Sequence, residues 1–89
     1  RDSIDDTPFD VPPVDTMVIV ENDDRPGVIG TVGTLLGDAG VNISDMDVSR
    51  VDGSDTAAML IAPTAPVPAE VLDDLRAAPG ILKVTSLTA

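Results

Sequence analysis

The chain has no cysteine, no histidine, no tryptophan and no tyrosine, and Phe9 is its one aromatic residue. Without thiol or imidazole it lacks the usual zinc ligands, a thiolate nucleophile and a base that titrates near neutral pH. A single aromatic ring also removes the stacking platforms on which single-stranded nucleic acid lies. Basic residues are scarce: five Lys and Arg stand against sixteen Asp and Glu, a formal charge of −11. Neutralising phosphates, on nucleic acid or on an anionic leaflet, takes clustered cations, so neither is an expected partner. No apolar run approaches the ~20 residues of a membrane span, and no secretory leader is visible. The expectation is a cytoplasmic module with little catalytic equipment. The chain opens at Arg1 rather than Met, which reads as a piece of a longer protein.

What is present is one small domain of 89 residues, 43% hydrophobic. At this size folding buries only about 60–65% of the chain's potential surface, so the core is thin and a partner is welcome. Residues 1–14 are acidic and end in Val11-Pro12-Pro13-Val14, a linker or edge segment, since neither proline donates to a ladder. Ile4 to Val11 also reads as an extended strand. From residue 15 the chain is patterned.

Thr16 to Glu21 is β-branched and apolar and ends at a turn cluster, Asn22-Asp23-Asp24; this predicts a strand. From Pro26 the apolar residues Val28, Ile29, Val32, Leu35, Leu36 and Ala39 take helical spacing. Pro26 suits a first helical position and Gly40 the residue just past the end. Val41 to Val51 is a second strand whose alternation slips near Ser44-Asp45, as an inserted bulge residue would cause. Asp52 to Asp55 is a hairpin turn. Thr56 to Ala62 is apolar on both faces, which predicts a central or covered strand. Pro68 opens a second helix that buries Val71, Leu72, Leu75 and Ala78, Pro79-Gly80 stops it, and Ile81 to Thr88 is the last strand. Two βαβ halves with right-handed crossovers give an α+β, ferredoxin-like βαββαβ sandwich: a four-stranded antiparallel sheet with both helices on one face.

The fold does not name a function. An RNA-recognition sheet needs aromatics and a basic face, and a metal-transfer domain needs paired thiolates; both are missing. An acylphosphatase-like site places an Arg after the first strand and an Asn on the second, where Arg25 and Asn42 stand. Against it, Asp23 and Asp24 repel an acyl phosphate. A small-ligand site fits the loop better. The amides of Gly27, Val28 and Ile29 fall in a first helical turn without intrahelical partners and suit a carboxylate. Asp24, just before them, accepts an ammonium. A free amino acid carries both charges. Asp24 also reads as a plain helix cap, Asn22 as a turn residue, Asn42 as a local backbone partner and Arg25 as a solvated ion-pair partner. Gly30, Gly33 and Gly37 form a bare stripe whose cause is either close approach of another molecule or crowding within the domain.

The run Val20-Glu21-Asn22-Asp23-Asp24-Arg25-Pro26-Gly27-Val28-Ile29-Gly30, with Ala39-Gly40-Val41-Asn42-Ile43 and Met46-Asp47-Val48-Ser49-Arg50, resembles the ACT domain. The likeness covers residues 15–88 and is closest to the ACT domain that ends D-3-phosphoglycerate dehydrogenases. Iron–sulfur L-serine dehydratases end in a similar domain. The acidic start resembles the last strand and linker of a preceding domain, leaving 15–89 as the ACT domain. The resemblance implies an allosteric role without a catalytic site or cofactor in this segment, NAD belonging to the parent enzyme. It further implies that L-serine binds between two domains at Asn22, Asp24, Asn42 and the backbone of Val28 and Ile29, with Arg25, Pro26 and Gly27 in the same loop.

Geometry supports a shared site independently of the resemblance. Asn22 and Asn42 flank the first helix, some thirteen residues, about 20 Å at ~1.5 Å per residue. One amino acid does not span that within a subunit. A homodimer paired through the second-strand edge brings each Asn42 to its twin's loop and joins the sheets into eight strands.

Overall fold

The computed structural model describes residues 16–50 and 53–88; the expectations for residues 1–14 and for the start of the hairpin turn lie outside them. Six elements follow in order: β1 (Thr16–Asp23), α1 (Val28–Asp38), β2 (Ile43–Arg50), β3 (Thr56–Pro63), α2 (Ala69–Ala77) and β4 (Ile81–Thr88). The sheet order is β2-β3-β1-β4, and every neighbouring pair is antiparallel. This is the ferredoxin-like βαββαβ arrangement. β3 sits inside the sheet, as its two apolar faces require, and β2 is an edge.

Strand alternation decides what faces the helices. From β1 the inward row is Thr16, Val18, Val20 and Asn22; β3 adds Ala57, Met59 and Ile61, and β4 adds Val84, all buried. Onto them α1 presses Val28, Val32 and Leu36, and α2 presses Val71, Leu72 and Leu75. Ala78, expected on that face, is the α2 C-cap in extended conformation. In β2, Ile43 pairs Pro63 while Asp45 pairs Ala62, so one extra residue stands at Ser44. That bulge lets Ile43 and Met46, three apart, both pack on the core.

Three expected boundaries move, one of them at β2, which opens at Ile43 rather than Val41 and leaves Asn42 outside the strand. The first strand runs through Asn22 and Asp23, which are ladder residues paired with Ala57 and Thr56 rather than a turn. The first helix begins at Val28 with Gly27 as its N-cap, two residues beyond the position expected for Pro26. Gly27 takes φ 92°, a left-handed conformation that lets the chain leave β1 and turn sharply into the helix. The far end behaves as expected. Gly40, at φ 78°, donates to Gly37 O (3.0 Å), and Val41 donates to Leu36 O (2.9 Å). This is a Schellman closure, and it buries Val41 against Leu36 in the same cluster.

Candidate functional site

The β1–α1 junction is built on an uncapped helix start. No side chain caps α1. The Gly27 carbonyl accepts from Thr31 N (2.9 Å) and Thr31 Oγ1 (3.1 Å), so the first intrahelical bond skips Val28, Ile29 and Gly30. Their amides are therefore the orphan donors of this helix. The sequence places them one residue earlier, at Gly27 to Ile29; the left-handed N-cap shifts them. With no acidic residue in the first turn, the positive end of the helix dipole meets no opposing charge from its own turn.

Asn22 stands at the β1 end that leads into this turn, on the helix-facing side. It is 3% exposed, its Nδ2 donates to Asp23 O at 2.8 Å, and among the described residues its Oδ1 has no partner. A buried acceptor left empty costs about 1–3 kcal/mol, so this oxygen stands ready for a donor.

Asp24 follows. Its amide donates to Asp55 O (2.7 Å), and its carboxylate meets Arg50 Nε at 2.7 Å. Arg25 folds back instead: its Nε lies 3.8 Å from Asp23 Oδ2, and its guanidinium lies over Gly80, where an added Cβ would sit 3.1 Å from Nη2. Gly80 O in turn receives Asp23 N at 2.8 Å. Arg25 thus braces the loop against the start of β4. Pro26 is exposed and precedes the N-cap.

Asn42 is elsewhere. Its carbonyl accepts from Thr64 N (2.9 Å) and Thr64 Oγ1 (3.3 Å), and its side chain is exposed. Thr64 follows the end of β3, whereas Asp55, which holds Asp24, precedes its start. The eight residues of β3 therefore separate Asn42 from the loop, about 25 Å at ~3.3 Å per residue. Asn22, Asp24, Pro26, Gly27, Val28 and Ile29 gather at one end of the sheet with Arg25 behind them, and Asn42 lies at the other. The acylphosphatase reading loses its geometry here, because Arg25 and Asn42 do not meet.

Sequence reasoning missed Arg50. It pairs with Ala57 in the ladder, and Ala57 faces the helices, so Arg50 rises on the helix side at the end where α1 starts. Its 26-residue distance from Asp24 along the chain hides the pairing; the bulge at Ser44, which sets the phase of β2, is the one signal that leads to it. The described residues do not crowd the glycine stripe: among them a Cβ at Gly30, Gly33 or Gly37 meets nothing within 4 Å.

This sheet order, with two helices on one face, defines a ferredoxin-like α+β sandwich. The chain belongs to the ACT domain family, whose model matches residues 16–80. Among curated relatives, D-3-phosphoglycerate dehydrogenase of Synechocystis is 36% identical over 78 residues, 88% of this chain and 14% of that protein. The same enzyme of Methanocaldococcus jannaschii is 38% identical over 72 residues, 81% of this chain and 14% of that protein. The chain thus spans about a seventh of the length of the relatives it matches. A solved ACT domain from the GTP pyrophosphokinase of Chlorobium tepidum shares the fold, with a TM-score of 0.56 at 18% identity over 81% of this chain and 95% of that one.

Proposed function

We propose that this domain is an amino-acid sensor that binds L-serine between two copies of itself and regulates an NAD-dependent D-3-phosphoglycerate dehydrogenase of serine biosynthesis in the cytoplasm. The observation that carries the reading is the empty, buried Oδ1 of Asn22 beside an uncapped helix start. One is an acceptor without a donor and the other a set of donors without an acceptor. A zwitterion answers both: its ammonium goes to Asn22 Oδ1 and Asp24, its carboxylate to the amides that open α1.

The second copy follows from Asn42. Within one chain it lies a strand's length from the loop, yet β2, an edge among the described strands, offers a route. Antiparallel pairing of two β2 strands about a dyad sets the partner's Asn42 beside this loop and makes two equivalent sites. Effector binding then tightens the pair, and the coupling to distant catalytic domains is of the usual ~1–3 kcal/mol. NAD and the catalytic residues belong to the parts of the protein beyond this chain.

A thermal-shift panel of the twenty amino acids tests the reading. A rise with L-serine supports it, because a ligand that binds only the folded state stabilises that state. A flat panel defeats it and leaves a dimerising module, the reading favoured by the bare glycine flank of α1. Sedimentation equilibrium of the free chain tests the dimer.

A further inference from the structure

The pair between Asp24 and Arg50 leaves most of its hydrogen-bonding capacity unused. Asp24 Oδ2 takes Arg50 Nε at 2.7 Å. A guanidinium has five donors and a carboxylate about four acceptor sites, and among the described residues neither side-chain group has a further partner. Arg50 is 78% exposed and Asp24 32% exposed, so the two Nη groups and Asp24 Oδ1 remain available to something arriving from solvent. The ladder register sets the guanidinium on the helix-facing side, at the end of the sheet where the orphan amides of α1 lie. As the last residue of the β2 edge strand, Arg50 also stands where a twin β2 would bring its own beginning.

We infer that Arg50 is a binding residue for the effector's carboxylate, its Nη edge and the start of α1 holding the two oxygens while Asp24 Oδ1 takes the ammonium. This rests on the amino-acid-sensor reading and goes beyond it by naming the residue that selects a zwitterion over a simple amine. The ligand completes a ring of alternating charges without breaking the existing ion pair. Each group keeps its first partner and gains a second, so no desolvated charge is left alone. The planar fork of Arg suits a carboxylate in a way that the point charge of Lys does not.

The test uses the 89-residue chain and two probes, L-serine and ethanolamine, the second lacking only the carboxylate. Calorimetric titration of the wild type, Arg50→Gln and Arg50→Lys gives the affinities, and melting curves confirm that the variants fold. The expected result is a fall of about 10–100-fold for L-serine in Arg50→Gln, the size of a lost charge-assisted bond. Arg50→Lys recovers part of it, while ethanolamine, which has no carboxylate to lose, binds Arg50→Gln no more weakly than the wild type. If Arg50→Gln binds L-serine as well as or better than the wild type, Arg50 is only a surface partner of Asp24, and the inference fails while the sensor reading stands. If the wild type binds none of the twenty amino acids, both fall together.

Discussion

Asn22 Nδ2 donates to the carbonyl of its neighbour Asp23 at 2.8 Å, and this bond leaves the other end of the carboxamide buried against nothing polar. Leucine at this position removes the unsatisfied oxygen but also the Nδ2 bond to Asp23 O, two opposing effects of about 1 kcal/mol each. Asn22→Leu is therefore expected to leave the stability of the domain within ~1 kcal/mol of the wild type in urea while abolishing L-serine binding. A variant that loses stability by more than ~1 kcal/mol would show that Asn22 serves the fold instead.

Asp24 carries the opposite balance. Its pair with Arg50 is largely exposed, and such pairs are worth about 0–1 kcal/mol. Asp24→Ala should melt within a few degrees of the wild type and remain dimeric by sedimentation, yet bind L-serine at least ~10-fold more weakly in calorimetry. Unchanged affinity removes Asp24 from the site.

The two classes of glycine in and around α1 separate cleanly. Gly40 stands at φ 78° in the Schellman closure, so Gly40→Ala costs about 1–2 kcal/mol. Gly33 lies mid-helix with open space where a Cβ would go, and Gly33→Ala raises the stability of the isolated chain by ~0.5–1 kcal/mol. Chemical denaturation at low protein concentration measures both. Destabilisation by Gly33→Ala at concentrations where the chain is dimeric, but not below them, would mean that a second molecule packs on that flank.

Leu36 has no exposed surface and belongs to the core cluster, whereas Leu87 lies half exposed on the sheet face away from the helices. Truncation to alanine is expected to cost about 2–5 kcal/mol at Leu36 and under ~1 kcal/mol at Leu87. The same urea titrations decide it.

Element order, sheet topology and the bulge in β2 were legible because hydrophobic periodicity is a local signal, and a slipped phase at Ser44 betrays an extra residue in the ladder. The β1–α1 junction was legible in composition and misread in detail. Asn22-Asp23-Asp24 has the residues of a turn, but the alternation of Val18 and Val20 continues through Asn22, and pairing with β3 wins over local turn preference. Pro26 has the residue type of a first helical position, but Gly27 takes the left-handed conformation that starts the helix two residues later, at Val28. Arg50 was invisible, because nothing in a linear sequence couples it to Asp24 across an intervening helix.

The two βαβ halves put a strand-to-helix junction at each end of the sheet, and the second is furnished differently. Between β3 and α2 the chain reads Thr64-Ala65-Pro66-Val67-Pro68, with Val67 tucked into the core and Glu70 in the first turn of the helix. A hydrocarbon plug fills the space there, and a resident anion faces the dipole that might have drawn one from outside. The internal repeat is therefore symmetric in architecture and lopsided in chemistry, and on the proposed reading an L-serine titration is expected to saturate at one equivalent per chain rather than two.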